Sequence, residues 1–250
     1  MVWEKKIEEA RRFFGIADYP GNLFDFLGNK KVIDEHKLLL FKQDLDKLSG
    51  FIGYSYGFTI ICVNYKRNIG HQNFTLAHEI GHMFLHNGIS KSDINPERAG
   101  QDKEELEANL FASELIYPEK FVTEDYKFAL ENNLFKKENW DDLAVFINSL
   151  CEKYYTSFIF AFNKMSNGYF RNYKSRAAFY SRFKKHIGNL SDTFPKHMHV
   201  VDYNHEFYQV NIEPYNYMKE LVKELVDKQE LGLETGESII ERYEKLGGNH

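Results

Sequence analysis

The chain has 250 residues, of which 43% are hydrophobic, 16% are aromatic and only 5 are proline. This composition excludes disordered, collagen-like and low-complexity proteins, and it indicates a globular chain that is long enough to bury a substantial core. The formal net charge of −5 also excludes binding of nucleic acid or anionic membranes over the whole surface. Any such patch must be local.

We expect neither a membrane-spanning segment nor an export signal from the sequence. Its apolar runs, such as residues 38–41 and 158–162, are much shorter than the roughly 18–20 residues of a spanning helix. Residues 1–9 lack the basic head and apolar block of a secretory signal. Cys62 and Cys151 are the only cysteines, too few for a disulfide framework or a thiolate metal cluster. We therefore expect a cytoplasmic protein without membrane contacts.

Hydrophobic periodicity predicts the elements of the first 120 residues. Helical spacing of apolar residues alternates with one β-rich stretch, which we interpret as a small antiparallel sheet. The last helix of this part must end before Pro118, because a residue preceding proline avoids helical dihedrals. In chain order the predicted segments are helices over 2–14 and 22–27, strands over 38–41, 49–56 and 58–64, and helices over 70–87 and 103–116.

The second half of the chain shows a weaker pattern. Asn167-Gly168 lies between two aromatic runs, residues 157–164 and 169–174, and this dipeptide predicts a β-hairpin over 157–174. The sequence as a whole predicts an α+β fold with a soft boundary near residue 120. Further predicted elements are helices over 140–154 and 176–186, a strand pair over 199–212 and two terminal helices.

The segment His78-Glu79-Ile80-Gly81-His82 is an H-E-x-x-H motif inside a predicted helix. Two histidines four residues apart lie about 6 Å apart along the helix axis, so both can bind one ion at about 2.0–2.1 Å. Glu79 lies about 100° further round the helix and can act as a general base on water at the metal. The motif predicts one Zn²⁺ ion. The alternative is two solvated histidines and a surface glutamate.

A catalytic zinc site needs a third protein ligand, which we expect from the helix over 103–116. The candidates are Glu104, Glu105 and Glu107. Glu105 is favoured because Asn109 lies one turn later on the same face, where its amide could hold a ligand histidine. The other two carboxylates are then expected to face solvent. The apolar residues expected to face the core are Leu106, Leu110 and Phe111.

Residues 74–86, with the H-E-x-x-H motif, and residues 105–118, beginning Glu-Leu-Glu-Ala-Asn, together resemble the ImmA/IrrE family of zinc metallopeptidases. The resemblance extends over about residues 1–155 in layout. It implies a zincin-like core over 1–120, with helices packed on a small, mostly antiparallel sheet. The remaining residues, 121–250, would form an α+β region that shapes substrate access or senses a signal.

The same resemblance implies the chemistry. His78, His82 and Glu105 match the zinc ligands of the family, and Glu79 matches its catalytic base. The implied function is a zinc-dependent endopeptidase that cleaves a helix-turn-helix transcriptional repressor or a similar cytoplasmic regulator. The alternative is a zinc-containing regulator that binds a DNA-binding or toxin–antitoxin partner without cleaving it. Glu79 favours cleavage, because zinc binding alone needs no general base.

The other histidines are weaker candidates. His86 lies about 12 Å along the axis from His78, too far for both to bind one ion, so we interpret it as structural or as a rim residue of the cleft. His71 could line the same groove or lie on the surface. A second metal site is disfavoured, because the histidines that suggest it have no nearby carboxylates or thiolates in a fixed pattern. Those histidines are His197, His199 and His205.

Residues 153–191 carry 8 basic side chains, no acidic one and many aromatic rings. Such a mixture can bind single-stranded nucleic acid or a phosphorylated ligand. A nucleic-acid-binding module built on the predicted hairpin, with Arg171 and Lys174 as contacts, is therefore a second alternative function. We favour a solvated face above an aromatic core, because a block of charge alone is weak support for binding.

Overall fold

The computed structural model describes residues 2–86, 91–92, 103–188 and 213–248. Within these ranges eleven α-helices surround a small mixed sheet, which confirms the α+β class. None of the helices in the described ranges combines the length and the apolar character needed to cross a bilayer.

Three helices precede the sheet. The first buries Ile7 and Ala10 and is followed by Gly15, whose φ of 66° turns the chain into the left-handed region. The next two begin at asparagine caps, where the side chains of Asn22 and Asn29 accept hydrogen bonds from backbone N–H groups of the first turn. The third helix was not predicted. These helices are α1 (Val2–Phe14), α2 (Leu23–Leu27) and α3 (Lys30–His36).

The sheet has the strand order β1-β3-β2-β4. β2 and β3 form an antiparallel hairpin through Tyr56 and Gly57, which have the positive φ values of 47° and 80° that a tight hairpin turn requires. β4 is also antiparallel to β2, but β1 runs parallel to β3. The sheet is thus mostly antiparallel, and its parallel pair was not predicted. The strands are β1 (Leu38–Gln43), β2 (Gly50–Ser55), β3 (Phe58–Asn64) and β4 (Lys91–Ser92).

The helices α4 (Ile69–Leu85) and α5 (Lys103–Ile116) pack closely against each other, and α4 also contacts β2 and β3. Gly81 permits the close approach, since a Cβ atom there would lie 3.2 Å from the Cα atom and carbonyl oxygen of Ala108. The motif glycine thereby brings the histidine-bearing face of α4 against α5.

The predicted hairpin over residues 157–174 is wrong. Ser157 caps a helix by accepting a hydrogen bond from the Phe160 N–H group, and a capping box formed by Asn172 and Ser175 starts the next helix. Burial of apolar residues at helical spacing overrides the local turn signal. The two helices are α8 (Phe158–Met165) and α9 (Tyr173–Ile187). The predicted strand pair over 199–212 and the three late histidines lie outside the described residues.

One hydrophobic cluster extends from α1 to α9 across residue 120, and the helices over residues 119–131 and 140–154 contribute to it. Asp125 joins its parts, because one carboxylate oxygen accepts hydrogen bonds from the hydroxyls of Tyr117 (2.7 Å) and Tyr154 (3.1 Å). The helix over residues 213–227 packs on α3 and β1, and its buried Tyr215 contacts Phe41 of β1 with ring centroids 5.0 Å apart. These helices are α6 (Glu119–Glu131), a 3₁₀ turn (Lys137–Asn139), α7 (Trp140–Tyr154), α10 (Glu213–Asp227) and α11 (Leu233–Gly248).

Asn73 ties α4 to two other parts of the chain. Its side-chain nitrogen donates to the carbonyl oxygens of Gly21 and Tyr155, both at 2.9 Å. Its side-chain oxygen accepts from the N–H group of Leu23 at 2.8 Å. The residue is completely buried, so α4 is fixed one turn before the H-E-x-x-H motif begins.

Candidate metal centre

Two histidines and a glutamate converge between α4 and α5. His78 and His82 lie one turn apart on α4, with their Nε2 atoms 2.9 Å from each other. Glu105 on α5 places one carboxylate oxygen 3.2 Å from His78 Nε2 and the other 3.3 Å from His82 Nε2. One nitrogen or oxygen from each residue lies within 4.8 Å of the others. The three side chains form a candidate site for one metal ion.

The site is buried and anionic. His78, His82 and Glu105 are 6%, 3% and 9% exposed. Hydrogen bonding by His78 and then by His82 holds the pKa of Glu105 well below its usual range, against the opposing effect of burial. Two imidazole nitrogens and an ionised carboxylate aimed at one point are a donor set that suits a divalent cation such as zinc.

Neighbouring side chains contact the Nδ1 atoms of His78 and His82, which are the outer nitrogens because they point away from the metal site. His78 Nδ1 lies 3.1 Å from the amide oxygen of Asn109, as the helical phase of α5 predicts. His82 Nδ1 lies 2.9 Å from His86 Nδ1, and His86 Nε2 lies 3.4 Å from a carboxylate oxygen of Glu107. Such contacts fix the tautomer and the orientation of a ligating ring. Sequence reasoning missed the contact of His86, although its spacing of four residues from His82 was the available signal.

Two expectations for α5 are wrong. Leu106 and Leu110 are 58% and 43% exposed, whereas we expected them to face the core. Glu107 does not only face solvent, because it contacts His86 and also forms an ion pair with Lys103 at 3.6 Å. The close contact of Gly81 with Ala108 and Phe111 sets which side of α5 is buried, and Leu106 and Leu110 lie away from that side. Its buried members are Glu105, Ala108, Phe111, Ala112, Leu115 and Ile116.

Glu79 is 2% exposed and, among the described residues, does not belong to the converging group. Its carboxylate lies against the sheet, since a Cβ atom built on Gly50 would be 3.4 Å from Glu79 Oε1. Burial and, after it, the charge of Glu79 raise the pKa of Cys62 to about 12 and also raise the pKa of Tyr54. The carboxylate therefore lies close to β2 and β3.

His71 and Glu104 are not brought into the group. His71 is exposed on the first turn of α4, where its Nε2 lies 3.0 Å from the hydroxyl of Ser49. Glu104 is half-buried on α5, and its carboxylate is not among the three converging ligands of the described residues.

These features define an α+β domain with an H-E-x-x-H-type candidate metal site, and the comparisons with known proteins agree. Residues 34–127 match the Peptidase M78 family model, described as the IrrE N-terminal-like domain. The chain is also 34% identical over 95 residues to the metallopeptidase ImmA of Bacillus subtilis (strain 168), an alignment that covers 38% of this chain and 56% of that protein. The matched segment is therefore similar to the IrrE N-terminal-like domain, and the chain spans about half the length of the metallopeptidase that it matches.

Proposed function

We propose that this protein is a zinc-dependent endopeptidase in which His78, His82 and Glu105 bind the metal and Glu79 is the catalytic base. The observation that carries the proposal is the convergence of three ligand atoms within 4.8 Å on two packed helices. The match of residues 34–127 to a peptidase family model supports it.

The donor set fits a catalytic zinc ion. Three protein ligands with nitrogen and oxygen donors are the usual number for such a site, and they leave one coordination position open for water or substrate. A zinc ion held there would polarise the scissile carbonyl group and make water more acidic. A structural zinc site would instead use four protein ligands, and three residues converge among those that the structure describes.

The protein residues then divide the remaining work. Hydrogen bonding by His78 and His82 outweighs the burial that would raise the pKa of Glu105, so its carboxylate stays ionised in the buried site. Asn109 and His86 hold the two ligand rings through their outer nitrogens. Glu79 takes a proton from the attacking water and returns it to the leaving amine. Gly50 lets β2 approach α4 closely at this carboxylate, because a Cβ atom there would lie 2.5 Å from Thr75 Cγ2 and 3.4 Å from Glu79 Oε1.

The proposed substrate is a protein, specifically a helix-turn-helix repressor or a similar regulator in the cytoplasm. The support is the resemblance of the α4 and α5 motifs to the ImmA/IrrE family together with the similarity to the metallopeptidase ImmA. Residues 121–250 would shape substrate access or sense a signal.

The test combines metal analysis with proteolysis. Wild type should bind about one zinc per chain, Glu105→Ala should lose at least about tenfold in zinc affinity, and Glu104→Ala, changed one residue away, should retain it. Glu79→Gln should keep the metal but cleave a repressor encoded beside its gene at least about 100-fold more slowly. Chelator should abolish cleavage by wild type.

Three outcomes would contradict the proposal. Equal zinc loss in Glu104→Ala and Glu105→Ala would remove the ligand assignment. Cleavage that survives Glu79→Gln would remove the mechanism. An intact repressor held in a stable complex with the wild-type protein would favour the regulator that binds without cleaving.

A further inference from the structure

A cavity of about 710 Å³ opens among the helices of the C-terminal half. It is bordered by the 3₁₀ turn before α7, by Tyr169 after α8 and by the last turns of α9. None of the residues that line it belongs to α4 or α5, so it is separate from the metal centre. Its volume lies in the range of about 300–1,000 Å³ that is usual for small-molecule sites.

The floor of this cavity is aromatic. Phe135, Trp140 and Phe179 are buried members of the core, and the Trp140 and Phe179 rings meet edge to face at 5.4 Å. Tyr169 stacks on Phe135 with ring centroids 4.0 Å apart and planes inclined by 15°. Tyr169 nevertheless stays 44% exposed. The cavity therefore offers a supported, flat aromatic surface to a planar ligand.

The rim of the cavity is basic. Its polar lining residues are Lys137, Arg182, Lys185 and His186, and none of the lining residues is acidic. Arg182, Lys185 and His186 lie three and four residues apart and so share one side of α9. His186 pairs with Asp141 at 2.9 Å, whereas the other three cations form no ion pair within the described part of the chain.

Helix stabilisation does not account for this arrangement. Basic residues in the last turn of a helix are favoured by the helix dipole, and this would explain Lys185 together with Lys184, which does not line the cavity. It does not explain Lys137, which comes from a separate element and faces the same space. Three cations from two elements around one aromatic floor indicate a site for an anionic ligand.

We propose that this cavity binds a nucleoside phosphate. The base would stack on Tyr169, and the phosphate would be bound by Arg182, whose planar guanidinium pairs with phosphate oxygens, and by the neighbouring lysines. A neutral nucleoside could use only the floor, and inorganic phosphate only the rim. The combination therefore selects a ligand that is both flat and anionic. This inference does not depend on the proposed peptidase activity.

The test is a calorimetric titration of the full chain. The ligands are purine and pyrimidine mononucleotides, the matching nucleosides and inorganic phosphate. At least one mononucleotide should bind about tenfold or more tightly than its nucleoside and than phosphate. Tyr169→Ala should weaken binding, and the pair Arg182→Glu with Lys185→Glu should weaken it at least about tenfold. These residues are exposed, so circular dichroism should stay unchanged.

The matched control is the pair Lys174→Glu with Lys184→Glu, which makes the same charge change on exposed positions of the same helix outside the cavity. It should change the affinity less than about twofold. Equal weakening by both pairs, mononucleotides that bind no better than phosphate, or no binding at about 5 mM ligand would overturn the proposal.

A further arm identifies the source of the ligand. A single-stranded oligonucleotide of about twelve residues that binds no more tightly than a mononucleotide assigns the cavity to free nucleotides. An affinity at least about tenfold higher, with a steep dependence on salt, assigns it to a nucleotide within a strand.

Discussion

At the scale of single residues, the contacts around His82 extend the candidate metal centre beyond its three ligands. His86 faces the outer nitrogen of His82, and Glu107 faces His86. The carboxylate of Glu107 accepts the Nε2 proton of His86. The Nδ1 atom of His86 then accepts the Nδ1 proton of His82. The chain of contacts therefore fixes one tautomer of the ligand ring.

We expect His86→Ala to weaken zinc binding about 10–100-fold, because a hydrogen bond to the outer nitrogen of a ligand histidine orients its ring and raises its basicity. Zinc affinity would be measured by competition with a chromophoric chelator, and the fold of the metal-free protein by circular dichroism. His71→Ala, which removes an exposed histidine from the same helix, is the control. An unchanged zinc affinity in His86→Ala would show that His86 does not position His82.

A second residue-scale effect concerns Lys42 on β1, which is 5% exposed and whose ammonium lies 4.2 Å from the centre of the Phe24 ring. Burial lowers the pKa of Lys42 from 10.5 to about 8, and the charge of Asp25 opposes this shift. Between these two pH values the unfolded chain binds more protons than the folded chain. The contribution of Lys42 to stability therefore increases as the pH rises through this window.

Lys42→Met removes the buried charge and keeps most of the side-chain volume. Near pH 7 we expect the variant to have a higher free energy of unfolding than wild type. Near pH 10.5 the difference in free energy of unfolding between the two should have moved by about 2–4 kcal/mol in favour of wild type. Urea unfolding at several pH values measures it, with the exposed Lys31→Met as control. A difference that does not vary with pH would contradict the lowered pKa.

At the scale of elements, glycine contacts determine how closely α4 approaches its neighbours. Gly70 lies near the start of α4, and a Cβ atom there would be 2.3 Å from the backbone nitrogen of Ser157 and 2.4 Å from the carbonyl carbon of Thr156. These neighbours are backbone atoms and cannot rotate away. A side chain at this position must therefore separate α4 from the segment that leads into α8.

Gly70→Ala should lower the free energy of unfolding by about 1–3 kcal/mol, the usual cost of overpacking a core. Gly53→Ala is the control, because nothing lies within 4 Å of a Cβ atom at that position, and its effect should stay within about 0.5 kcal/mol. Denaturant unfolding of both variants provides the comparison. Equal stabilities of Gly70→Ala and Gly53→Ala would show that α4 and the segment leading into α8 can move apart without a loss of stability.

Sequence patterns predicted those elements whose apolar residues repeat with a clear helical period. These include α1, α4, α5 and α7, and the phase of α5 also selected Glu105 and Asn109 over their neighbours. The hairpin prediction over 157–174 failed because aromatic residues favour strands by local propensity, whereas burial of Phe158 and Phe162 on one side of a helix decided the outcome. The parallel pairing of β1 with β3 could not be predicted, since it joins residues that are distant in sequence.

At the scale of the whole molecule, the hydrophobic cluster does not divide at residue 120. It includes residues of α1, α4 and α5 together with residues of α7, α8 and α9. Asp125 accepts hydrogen bonds from the hydroxyls of Tyr117, before residue 120, and Tyr154, after it. A boundary based on sequence composition does not detect such packing. Shared burial makes independent unfolding of the two halves unfavourable.

Two buried cysteines report on the two halves separately. Cys62 lies in β3 and Cys151 in α7, and both are free thiols. We expect pulsed thiol labelling across a urea series, with each label located by mass spectrometry, to give one common midpoint for both cysteines. Separate midpoints would instead establish residues 1–120 and 121–250 as independent domains.

The hydrogen bonds of Asn73 restrict how this protein can be produced. Asn73-Phe74-Thr75 is an acceptor sequence for N-glycosylation, and the nitrogen that would carry the glycan is the one that donates to Gly21 and Tyr155. A chain that acquires the sugar while still unfolded, in the secretory pathway of a eukaryotic host, could not restore this junction. Expression in a bacterial cytosol avoids the modification, and Thr75→Val removes the acceptor sequence while Asn73 keeps its three contacts.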